Sequence, residues 1–87
     1  MIEKRDLLNE KYEDIKLLEH GYDKAIIGIS TDNRVIYNYE LMVECLIDNQ
    51  GFSENDAIEW LDYNTIRCLD YMGSNAPIIM YSLEVYE

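Results

Sequence analysis

Residues 24–40 read KAIIGISTDNRVIYNYE, and three kinds of structural signal follow one another within them. KAIIGIS (24–30) is rich in β-branched residues and reads as a strand. Thr31, Asp32 and Asn33 supply turn chemistry, because short polar side chains can hydrogen-bond their own backbone and tolerate unusual dihedrals. RVIY (34–37) is a second, shorter apolar run. Two such runs across a polar turn predict a β-hairpin. Gly28 inside the first run marks a bulge or a close packing contact. Asn38 then offers a side-chain oxygen to the free N–H groups of a helix starting at residue 39.

Working outward, Leu8, Tyr12, Ile15 and Leu18 recur at helical spacing and predict a helix over residues 4–19. Gly21 is its expected C-cap, and His20 would complement the negative end of its dipole. On the other side, Met42, Cys45 and Leu46 share one face of a helix over residues 39–49, which Asn49, Gln50 and Gly51 end. Ser53 with Asp56 three residues on resembles a capping box with Asp in place of Glu. The stripe Ala57, Ile58, Leu61, Thr65, Cys68, Leu69 and Met72 then predicts one helix to residue 72. Gly73, Ser74 and Asn75 break it. Pro77 opens a last strand over residues 78–83, where its missing N–H is tolerated. The order α-β-β-α-α-β predicts a single α+β domain over residues 1–87, with a small three-stranded antiparallel sheet packed on one face against helices.

The chain has 87 residues and a net charge of −11. That field repels phosphate, so no direct nucleic-acid binding and no anionic membrane surface are expected. The charge is uneven. Residues 1–36 hold eight acids against six bases, whereas residues 37–87 hold ten acids against Arg67 alone. The charged N-terminus lacks the apolar stretch of a signal peptide, and the longest apolar runs are far too short to span a bilayer. Cys45 and Cys68 have no CxxC spacing and read as reduced core thiols of a cytoplasmic protein.

From about residue 22 onward the chain resembles a widespread group of short bacteriophage and prophage proteins. The likeness is carried by AIIGIS (25–30), RVIY (34–37) and AIEWLDYNTIRCLDYMGSNAPIIMY (57–81). Within the last run Ala57, Ile58, Glu59, Trp60, Asp62, Tyr63, Asn64, Gly73, Pro77, Ile78 and Ile79 fit the group's pattern. The interval between Asn64 and Pro77 varies in the group, and the N-terminal helix lies outside the match. The resemblance covers roughly two thirds of the chain and implies a phage or mobile-element origin and the host cytoplasm. It implies no activity and assigns no functional residue.

Two sets of residues stand out as contact candidates. Glu40, Glu44 and Asp48 fall at i, i+4 and i+8 of the second helix with no lysine between them, a repulsive arrangement. Glu59 and Asp62 add acid on the next helix. A solvated face explains such a run as readily as a surface for a basic partner. Mimicry of DNA by this stripe alone is too sparse. Four helical residues rise about 6 Å, whereas the duplex carries one charge per roughly 1.7 Å. The second set is aromatic. Trp60, Tyr63 and Arg67 share a face by their i,i+3 and i,i+4 spacing, and Trp, Tyr and Arg anchor interfaces; tyrosine at the edge of a core is equally ordinary.

No metal or cofactor is expected. His20 is the single histidine, and no HExxH, EF-hand loop, phosphate loop, GxGxxG or GxSxG occurs. No catalytic residue set is legible, and the chain reads as a non-enzyme. The expected function is an acidic phage-type accessory protein acting by protein–protein interaction. Its sharpest form is an anti-CRISPR-like inhibitor with a DNA-mimic-like surface that occupies a basic surface of a host protein. The rival reading is a homo-oligomer, a homodimer for instance, that sequesters a nucleotide signal on its tyrosines. Against that rival, only Arg34 and Arg67 lie beyond residue 24 to meet a phosphate.

Overall fold

The hairpin forms where its turn chemistry places it. In the computed structural model, which describes residues 3–83, β1 (Ile26–Ile29) pairs antiparallel with β2 (Val35–Asn38). The turn closes through Ser30 N–H to the Arg34 carbonyl at 2.8 Å and Asn33 N–H to the Ser30 carbonyl at 3.0 Å. Asn33 takes the left-handed conformation (φ 62°) that such a turn needs, and asparagine tolerates it better than most residues. The register runs Ile26↔Tyr37, Gly28↔Ile36 and Ile29↔Val35, so Ile27 and Gly28 together oppose Ile36. This is the bulge that Gly28 signals; no atom lies within 4 Å of where its Cβ would stand, so close packing is not the reason for the glycine.

The third strand corrects the expected topology. β3 (Ile78–Met80) pairs with β2 in parallel, with Ile36↔Ile78 and Tyr37↔Ile79, so the three-stranded sheet is mixed and β2 is central. The helical crossover between β2 and β3 gives the physical reason, since parallel strands need such a connection, and Arg34 fixes where β3 enters. The Arg34 Nε donates to the Ala76 carbonyl at 2.7 Å, so β3 starts at the end of the sheet where β2 starts and runs with it. β3 is also shorter than expected, because the Ser82 N–H bonds the Glu40 carboxylate at 2.8 Å instead of extending the ladder.

One face of the sheet, carrying Ile26, Val35 and Tyr37, packs into a core with Leu8, Met42, Leu46, Ala57 and Leu61. α2 (Tyr39–Gln50) lies in this layer. Asn38 Oδ1 caps it by accepting from Leu41 N–H at 2.9 Å, and Gly51 ends it in the left-handed conformation (φ 71°). The fold is therefore α+β, in the expected element order.

Two expected helices change course. α1 (Lys4–Lys11) stops eight residues early. Beyond Tyr12, whose N–H still bonds the Leu8 carbonyl, three backbone groups of residues 12–19 are held by distant side chains. Asn75 Nδ2 donates to the Asp14 carbonyl at 2.9 Å, Arg5 to the Leu18 carbonyl, and Leu18 N–H donates to the Tyr37 hydroxyl at 2.9 Å. These tertiary bonds outcompete the helical periodicity. His20 and Gly21 consequently open a 3₁₀ turn (His20–Ala25) and do not end a helix; Gly21 has no positive φ.

The helix after Ser53 changes pitch twice. Ser53 Oγ accepts from Asp56 N–H at 3.2 Å and starts α3 (Glu54–Trp60). A π-helical segment (Leu61–Ile66) and a 3₁₀ segment (Arg67–Tyr71) follow. The wider and then tighter turns rotate the apolar stripe. Ala57, Leu61 and Thr65 stay buried, but Cys68 turns out to solvent. The expectation of two core cysteines holds for Cys45 alone; both are free thiols.

Candidate functional site

The acidic residues of α2 take the positions that its buried face leaves to them. Tyr39, Met42, Val43, Cys45 and Leu46 are buried, and Glu40, Glu44 and Asp48 stand exposed on the other side. Glu59 and Asp62 are likewise exposed. Among the described residues no cation lies within salt-bridge distance of any of these five.

Most of the cations are engaged elsewhere. Lys4 Nζ donates to the Ile26 carbonyl at 2.7 Å, Lys16 to the Met72 carbonyl, Arg5 to the Leu18 carbonyl and Arg34 to the Ala76 carbonyl. Four of the seven basic side chains thus cross-link the main chain. Arg5 also holds Asp23 through Nε, at 3.1 and 3.0 Å from its two oxygens, and its own pKa is raised, chiefly by that bond. Arg67 sits 5.8 Å from the Tyr63 ring centroid.

The acids are not equivalent. Glu40 is tethered by Ser82 N–H, and Asp62 Oδ1 accepts from the Tyr39 hydroxyl at 3.2 Å. The Tyr39 ring lies 4.8 Å from that of Tyr81. Asp62 on α3's continuation and Glu40 on α2 therefore meet around Tyr39. Burial, the charge of Asp62 and the hydrogen bond to it push the Tyr39 hydroxyl up to about 12. Burial first also raises Tyr22 and Tyr37. Since the folded Tyr39 pKa exceeds the unfolded value of about 10, its contribution to stability is complete below pH 10 and is lost as pH rises toward about 12. In Asp62→Asn the repulsive charge is gone and Tyr39 should ionise earlier. A tyrosinate absorbance titration of this variant, referenced to Tyr39→Phe, checks it; an unchanged curve would remove Asp62 from the cause.

The aromatic candidates separate. Tyr63 is 63% exposed and pairs with Arg67, whereas Trp60, 46% exposed, leans on Phe52 with centroids 5.6 Å apart. Trp60 and Phe52 wall a cleft of about 120 Å³ whose inner surface is Tyr22, Cys45 and Leu46 and whose rim includes Glu19. The Tyr22 hydroxyl is fixed by Thr65 Oγ1 at 3.0 Å, and Asn49 Nδ2 donates to the Gly21 carbonyl at 3.2 Å, which joins the end of α2 to the 3₁₀ turn. Burial pushes the Cys45 thiol up, so it is not poised as a nucleophile. Glu19, Tyr22 and Phe52 had no signal in the sequence as site residues, because residues 4–19 read as one helix that would carry Glu19 away from α2.

Glu3, His20 and Asp23 also cluster, with His20 Nε2 at 3.9 Å from Glu3 and 3.5 Å from Asp23. Arg5 already holds both oxygens of the Asp23 carboxylate, a positive charge on one of the three groups a metal ion would need. Among the described residues no helix is long and apolar enough to cross a membrane. No protein-family model, curated protein or solved structure matches this chain.

Proposed function

We propose that this protein is a binding module whose acidic face engages a basic surface on another protein, as an accessory or inhibitory factor of phage type in the bacterial cytoplasm. One observation carries the reading. Glu40, Glu44, Asp48, Glu59 and Asp62 are exposed without a salt-bridge partner among the described residues, while four of the seven cations are spent on main-chain carbonyls. These cations keep their charge but none stands beside the five acids, so the acidic face is not neutralised locally. Basic clefts that handle nucleic acid, including those of anti-phage nucleases, are the matching class, which makes the mode anti-CRISPR-like. The engagement of Arg34 with Ala76 and of Arg67 with Tyr63 leaves little to hold a phosphate and weighs against the nucleotide-sequestering reading.

The test is capture of partners from bacterial lysate at low salt, followed by affinity measurement on the recovered protein. Basic nucleic-acid-binding proteins are expected, with affinity falling as salt rises. In the triple variant Glu40→Gln, Glu44→Gln, Asp48→Asn the fold should persist and the melting temperature should hold or rise, since repulsion at i,i+4 is relieved. Gln at position 40 keeps an acceptor for Ser82 N–H. Affinity for the partner should drop by about tenfold or more. A folded triple variant that binds at full strength would reduce the stripe to solvation.

A further inference from the structure

Resting on the binding reading above, we propose that the cleft between Trp60 and the C-terminal turn of α2 is the pocket that receives one arginine side chain of the basic partner. Three features of different origin point to a cation there. Leu46, Asn49 and Gln50 bring to the cleft the negative end of the α2 dipole, and α2 has no basic residue of its own in its last turn, the nearby cation being Lys24 on the Cys45 side. Glu19 stands exposed at the rim with no salt-bridge partner among the described residues. Trp60 and Phe52 form an aromatic wall, and tryptophan is the best side chain for a cation to stack upon.

Size narrows the occupant. The cleft holds about 120 Å³, against the ~300 Å³ or more of a small-molecule site. One inserted side chain fits where a nucleotide does not. Its inner surface is apolar, from Leu46, Cys45 and the Tyr22 ring, and its rim is polar. That division suits a side chain with an aliphatic stem and a charged tip. Arginine is favoured over lysine because its planar guanidinium can lie on the indole while its forked donors reach a carboxylate. Tyr22 and Asn49 are held by their bonds to Thr65 and Gly21, so these parts of the cleft stand formed before any partner arrives.

Trp60 is the single tryptophan in the chain, so its indole N–H resonance is assigned without ambiguity and reports on the aromatic wall of this pocket. The probes are N-acetyl-arginine amide, N-acetyl-lysine amide and the uncharged N-acetyl-norleucine amide, titrated into the isotope-labelled full chain. A saturable shift with the arginine probe is expected, weaker with lysine and absent with norleucine. Glu19→Gln, an exposed position that leaves the fold intact, should weaken the arginine response by roughly three- to tenfold, and Glu10→Gln, exposed on α1 and outside both the pocket and the acidic face, should not. An equal shift from norleucine amide, or an unaltered response in Glu19→Gln, would overturn the pocket's assignment to a cation. Silence toward arginine amide would overturn it too. A parallel titration with a hexa-arginine peptide separates the two levels. Salt-dependent binding that leaves the Trp60 resonance still removes the pocket but keeps the acidic face, and no binding at all removes both.

Discussion

Replacing Tyr37 by alanine should cost about 3–5 kcal/mol, a large part of the roughly 4–13 kcal/mol available to a chain of this length. Tyr37 is 0% exposed at the centre of the middle strand, opposite Ile26 on one side and Ile79 on the other. Its ring fills the space between the sheet and the helices, and its hydroxyl accepts from Leu18 N–H at 2.9 Å. The residue therefore acts twice, once through volume and once by anchoring residues 12–19 to the sheet. Tyr37→Phe separates the two roles. It keeps the ring and strands the Leu18 N–H, at a cost of about 1–3 kcal/mol. Urea unfolding of both variants measures the split. Equal losses would mean that the hydroxyl, and not the buried ring, carries the effect.

Leu61→Ala should cost about 2–5 kcal/mol, whereas Cys68→Ser should stay within about 0.5 kcal/mol of the unaltered chain. Leu61 is fully buried where α3 gives way to the π-helical segment, and Cys68, two steps of the same stripe further on, faces solvent. In a straight α-helix both positions would lie on the apolar face and both substitutions would hurt. The contrast is therefore a direct reading of the change in pitch. Thermal or urea unfolding decides it; a Cys68→Ser loss as large as that of Leu61→Ala would mean that the helix runs straight to residue 72.

These two substitutions also mark where the sequence was legible. The hairpin, the Asn38 and Ser53 caps and the Gly51 stop are local events, each decided by residues within a few positions of one another, and each forms as its side chains dictate. The exposure of Glu40, Glu44 and Asp48 follows from the same locality, since the apolar face of α2 fixes the other face. What local patterns do not carry is the outcome of competition between distant groups. The periodicity of residues 4–19 is helical, yet Tyr37, Arg5 and Asn75 bind the backbone there and unwind it after Lys11. The direction of β3 is set by how the helices between residues 39 and 77 return the chain to β2, where Arg34 meets Ala76, forty-two positions away. The cleft at Trp60 was hidden for the same reason. It exists only because the unwound segment returns Glu19, Gly21 and Tyr22 to the end of α2.

The parallel pairing of β2 with β3 has a kinetic side. β1 meets β2 across residues 30–34, but β3 can meet β2 only after residues 39–77 have been brought round. Loop-closure entropy makes the second event the later one, as topology-limited folding generally requires. Until then the far edge of β2 is an unpaired row of N–H and C=O groups beside Val35 and Tyr37, an open template on which another half-folded copy could assemble. The strands themselves contain no charged residue to discourage this. The charge of −11 spread over the rest of the chain does, because two unfinished copies repel before their edges can touch. The acidic surface thus already serves as a guard against aggregation while the sheet is incomplete.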